Sequence, residues 1–133
     1  MDIGEIKQYI IDIQRYRDTA ASFTDDSPGA LIRKIELFTK ALMLIGRVSS
    51  WMDGEYKRKY AARKQAYAMA KVAAPKGEKE TKPELDIIKH REEETTAFER
   101  KQLWRNEFES LKEHIHELRL RLRVDMHIGD GGE

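Results

Sequence analysis

The residues best suited to chemistry lie between Tyr56 and Gly77. This window holds Lys57, Arg58, Lys59, Arg63, Lys64, Lys71 and Lys76 and no acidic residue. Tyr56, Tyr60 and Tyr67 are interleaved with the cations, and Trp51 lies just upstream. Cations at helical spacing neutralise phosphates, and aromatic rings offer faces on which unstacked bases rest. Lys57, Arg58, Tyr60, Arg63, Lys64, Tyr67 and Lys71 are therefore the candidate nucleic-acid-binding residues. Tyr60, Arg63, Lys64, Tyr67 and Lys71 can share one flank of a helix. The same pattern also fits a solvated basic face whose tyrosines pack on a neighbouring helix. A third reading makes Trp51, Met52 and Tyr56 the anchors of a protein interface, since aromatic residues dominate binding hot spots.

Other constellations carry less. Arg119, Arg121 and Arg123 form a second basic cluster near Lys112 and His116, but on a helix they point to different sides and suit the cation preference of a helix C-terminus. His114 and His116 diverge by about 200° on a helix, and no residue set completes a zinc pattern, so no metal is expected. No glycine-rich phosphate loop, nucleophile elbow or HExxH occurs. Catalytic residues and cofactors are accordingly expected to be none, and the chain reads as a non-enzyme. The acidic run Glu92-Glu93-Glu94 and Glu99 counts against a nucleic-acid surface, because it could neutralise the basic window across a helix pair.

The elements that must position these residues are helices. The 133 residues suit one domain and are 37% charged and 40% hydrophobic, a mixture that suits solvent-washed helices. The formal charge is +1, so affinity for nucleic acid would come from uneven distribution. Cysteine is absent, which excludes disulfides and thiolate metal sites. No apolar run approaches the roughly 20 residues of a membrane span, and Met1-Asp2-Ile3-Gly4-Glu5 lacks a signal-peptide pattern. A cytoplasmic protein without membrane contact is expected.

Three helices are predicted, at about 3–22, 28–74 and 83–124. The first carries Ile3, Ile6, Ile10, Ile13 and Ala20, interrupted by Arg17. Ser27 and Pro28 supply a cap and a first helical residue for the second. Its stripe Leu31, Ile35, Phe38, Leu42, Ile45, Ser49, Met52, Tyr56 has heptad spacing. Lys59 and Arg63 then fall at core positions, and Gly46, Ser49, Ser50 and Gly54 predict a kink or break within 46–54. Residues 75–83, bracketed by Pro75 and Pro83, read as a loop. The third helix carries Trp104, Phe108, Leu111, Ile115, Leu118 and Leu122. Residues 118–124 alternate with period two, so a short strand competes there with helix. Residues 129–133 read as a flexible tail beyond a single helical domain of 1–128. The predicted fold class is all-α: a long antiparallel helical hairpin with coiled-coil-like packing and an additional N-terminal helix. So thin a hairpin buries little surface, and homo-oligomerisation would supply the missing burial.

Two blocks, Trp51 to Tyr67 and Leu103 to Arg123, resemble small helical accessory proteins of tailed bacteriophages and prophages. In those proteins a charged helix rich in Tyr, Lys and Ala is followed by a linker and a Trp-containing helix. The resemblance implies a phage accessory protein in the bacterial host cytoplasm. With the basic window, the expected function is binding of DNA, single-stranded or at junctions, in replication or recombination; the alternative is a module that binds and modulates or inhibits a host or phage protein. The resemblance implies no catalytic residue.

Overall fold

The computed structural model describes residues 1–131 and is all-α, with the order α1 (Ile3–Ala21), α2 (Pro28–Ala73), α3 (Thr81–Asp86) and α4 (Ile88–Gly131). Among the described residues there is no strand, and no helix is long and apolar enough to cross a membrane. The chain divides into two compact units, residues 1–49 with 104–133 and residues 50–103, so α2 and α4 contribute to both.

In the first unit α1 starts where the Asp2 carboxylate accepts the Glu5 amide at 2.9 Å. A short acceptor at this position satisfies an amide that has no partner within the helix. Ile6, Ile13 and Ala20, seven residues apart, are its buried side chains. They join Leu31, Leu37, Phe38, Ala41, Ile45 and Val48 of α2 and Leu111, Ile115 and Leu118 of α4. The buried face of α2 is wider than a two-helix seam because both α1 and α4 cover it. Arg17, the break in the α1 stripe, reaches Glu107 of α4 at 2.7 Å, while Tyr9 of α1 accepts a bond from Arg47 of α2 at 3.4 Å.

α2 begins as its sequence predicts, with Ser27 Oγ accepting the Ala30 amide and Pro28 in the first turn. The expected break within 46–54 does not occur; α2 is continuous through Gly46 and Gly54. A Cβ at Gly46 would meet the Phe108 ring at 3.4 Å, an ordinary contact, so the packing does not demand glycine there. The local helix penalty of about 1 kcal/mol is too small to break a helix that buries Ile45 and Val48 on either side. The alternating stretch at 118–124 is helix and not strand. Leu118 is buried and Leu120 is 43% exposed, as residues diverging around a helix must be. α4 also runs past the expected end at Val124 to Gly131, so the tail expected at 129–133 is helical at least to that point; residues 132–133 lie outside the described residues.

Asp26, ahead of α2, accepts Lys34 Nζ at 2.9 Å and Arg121 of α4 at 2.7 Å. Those hydrogen bonds, Lys34 first, hold its carboxyl below the ordinary value of 3.8. A carboxylate lowered in the folded state stabilises above its unfolded pKa, and the contribution fades as pH falls through the folded value. Urea titrations of Asp26→Asn should therefore show a stability gap from the parent at pH 7 that closes below the ordinary carboxylate range.

In the second unit the α2 and α4 segments run antiparallel. Asp53 meets Lys101 at 3.4 Å, the Tyr56 and Phe98 rings meet edge to face at 5.5 Å, and Lys59 meets Glu93 at 3.6 Å. The core is slight: Met52, Ala74, Pro83, Ile87 and Ala97. Lys79 Nζ donates to the Lys71 and Ala74 carbonyls at 3.2 and 3.1 Å, partners that the end of α2 otherwise lacks. Gly77, at φ +99°, makes the following turn in a region that disfavours side-chain-bearing residues. α3 begins inside the stretch expected as loop and tolerates Pro83 in its first turn, where no amide bond is lost; the third helix, expected as one from about 83, is divided at Ile87 into α3 and α4.

Candidate nucleic-acid interface

The antiparallel pairing sets the basic window of α2 beside the acidic start of α4. The cations thereby divide into two groups. Lys59 and Arg63, on the flank facing α4, are half-buried and engage Glu93 and Glu94 respectively. The acidic run does neutralise part of the window, and it does so at the two positions where the hydrophobic stripe of α2 had given way to charge.

The other group faces solvent. Lys57, Tyr60, Lys64, Tyr67 and Lys71 recur at steps of three and four residues, so they form one row along α2. The three lysines are exposed, Tyr60 is 39% exposed and Tyr67 is half-buried. Successive lysines lie about 10.5 Å apart along the axis, and the row spans about 21 Å. Lys57 pairs with Asp53 on its own helix at 3.0 Å. Lys64 and Lys71 have no carboxylate within ion-pairing distance among the described residues. Arg63 and Lys64 sit over the Tyr60 ring at 5.3 and 5.1 Å from its centroid. These cation–π contacts hold charge next to the exposed ring. Arg58 turns to Glu55 at 2.8 Å and lies 5.9 Å from the centre of the Trp51 ring.

The proposed protein-interface anchors are differently placed. Met52 is 8% exposed and belongs to the core. Tyr56 packs on Phe98, with Lys101 Nζ 4.8 Å from its ring centre. Trp51 is half-buried. The three do not make one open surface.

Side chains of α4 complete the site in a way that composition did not reveal. Arg91, Thr95 and Phe98, at steps of four and three, line a groove with Tyr56, Arg63 and Glu94. Their signal was the helical spacing together with the antiparallel register. Asp53, hydrogen-bonded by Lys57 and then Lys101, has its carboxyl held below the usual range. Among the described residues no group of three or more His, Asp or Glu is placed to hold a metal ion.

No protein-family model, curated protein or solved structure matches the chain. The function must be argued from the geometry of these residues.

Proposed function

We propose that this chain binds nucleic acid through the exposed face of α2 between Lys57 and Lys71. In the phage setting that the sequence resemblance implies, the ligand is single-stranded or junction DNA in replication or recombination. The protein acts by binding and not by catalysis. The observation that carries this reading is the Lys57–Tyr60–Lys64–Tyr67–Lys71 row, in which two lysines keep their charge free of carboxylate partners. Its unit also concentrates positive charge: residues 50–103 hold 13 Lys and Arg against 10 Asp and Glu, a formal +3 in a chain of +1. Tyrosines between the lysines favour unpaired bases, whose faces are free to stack, over a duplex.

A protein interface anchored on Trp51, Met52 and Tyr56 draws less support, because Met52 is enclosed and Tyr56 is already covered by Phe98 and Lys101.

The test is anisotropy of a labelled thymidine oligonucleotide with the parent chain and with Lys64→Glu/Lys71→Glu. Both side chains are exposed, so the variant should keep its helical circular dichroism. Loss of two phosphate contacts lowers the salt slope by about 1.4 on a single strand, and the added repulsion weakens binding by more than about tenfold at low salt. Equal binding by the two proteins would reject the row as the interface.

A further inference from the structure

The groove between the α2 and α4 segments of the second unit has a volume of ≈ 420 Å³ and is lined by Tyr56, Arg63, Arg91, Glu94, Thr95 and Phe98. That volume lies within the range of small-molecule sites. The lining sets two guanidiniums, one hydroxyl and two rings around a single carboxylate, so cationic donors outnumber anions in it.

Both guanidiniums are held, and neither is used up. Arg63 engages Glu94 through Nε, and Arg91 engages Glu84 through Nη2 at 2.6 Å. A guanidinium carries five N–H donors, so each keeps donors for a second acceptor. Their carboxylate partners fix them in place, which lowers the entropy lost on binding. Phe98 is 41% exposed although its ring touches Tyr56. Arg63 also connects the groove to the basic row, since it lies over the Tyr60 ring that Lys64 shares.

We propose that this groove holds one nucleoside phosphate. The base stacks on the exposed Phe98 ring, which Tyr56 braces from the other helix, and the phosphate takes donors from Arg91 and Arg63 and the Thr95 hydroxyl. The inference rests on the nucleic-acid reading and deepens it: the groove receives a nucleotide of a strand whose neighbours follow the Lys57–Lys71 row. A free nucleotide presents the same chemistry, and the experiment separates the two sources.

The parent chain, Arg91→Gln, Phe98→Leu and Lys64→Glu/Lys71→Glu would each be titrated against two probes. One is a labelled thymidine oligonucleotide of about eight residues, within the span of single-strand sites; the other is thymidine 5′-monophosphate. Arg91 and Phe98 are exposed, and circular dichroism would verify that both variants fold. Phe98→Leu should weaken strand binding about five- to tenfold and leave the salt slope unchanged, because stacking releases no counterion. Arg91→Gln should weaken it and lower the slope by about 0.7. Monophosphate binding that depends on Arg91 and Phe98, without strand binding, would uphold the groove as a free-nucleotide site and reject the strand reading. Strand binding lost in Lys64→Glu/Lys71→Glu but intact in both groove variants would overturn the groove and leave the row standing. Binding of neither probe by the parent would overturn both.

Discussion

Ile45→Ala should lower the stability of the first unit by about 2–5 kcal/mol, seen as a fall in the urea midpoint with little change in slope. Ile45 is 0% exposed and lies in the α2 segment of the first unit, which packs with α1 and α4. Removing its branched side chain forfeits transfer energy and leaves a cavity that three helices, held by long apolar contacts, can close only in part. The unit has few other large, fully enclosed side chains with which to absorb the loss: Ile6, Leu31 and Val48. Native domains are typically stable by only about 5–15 kcal/mol, so the change takes a large share of the total. The two tryptophans permit a local readout, because Trp104 belongs to the first unit and Trp51 to the second. Fluorescence of Trp51→Phe, which keeps Trp104, should report the lowered transition. A midpoint unchanged by Ile45→Ala would mean that the site is not packed as described.

The fold class was legible because the apolar residues recur at steps of three and four over long runs, with proline-marked turns at 24–29 and 75–83. Leu31, Phe38, Ile45 and Met52 are buried as their heptad spacing requires. Leu37, Ala41 and Val48, off that stripe, are buried because α1 adds a second neighbour, which a pattern within one helix does not reveal. Of the kink or break expected within 46–54, the break is absent: burial of Ile45, Val48 and Met52 around the glycines decides against local propensity. At the candidate site, spacing placed Tyr60, Lys64, Tyr67 and Lys71 on one flank, but it put Arg63 there as well and left Lys57 out. The division of the cations was not legible. Lys59 and Arg63 differ from Lys64 and Lys71 only through the register that brings Glu93 and Glu94 alongside them. Arg91 and Thr95 were hidden for the same reason, since each becomes part of a groove only when α4 lies against Tyr56 and Arg63.

That division leads to an expected gain of function. Glu93→Gln/Glu94→Gln should bind single-stranded DNA about tenfold more tightly than the parent at low salt, with a steeper salt dependence. Glu93 and Glu94 lie on the flank of α4 that meets the basic window, where they pair with Lys59 and Arg63. A unit charge a few ångströms from a phosphate is worth on the order of 1 kcal/mol in water and less once salt screens it, so removing two such charges changes affinity by about tenfold. The amide keeps a carbonyl oxygen that can still accept from Lys59 or Arg63, so the helices stay in register, and partly exposed ion pairs cost about 1 kcal/mol or less when lost. A loss-of-binding variant can fail for want of a fold; a variant that binds better cannot. The salt titration carries the decision. If affinity rises and the slope steepens, Lys59 has joined the phosphate contacts and Arg63 gives the phosphate the donor that Glu94 had taken, so the acidic start of α4 acts as an internal competitor for the strand. If affinity rises with the slope unchanged, the carboxylates merely repelled the ligand at a distance. If neither changes, the strand never approaches this flank, and binding is confined to the exposed row of Lys57, Lys64 and Lys71.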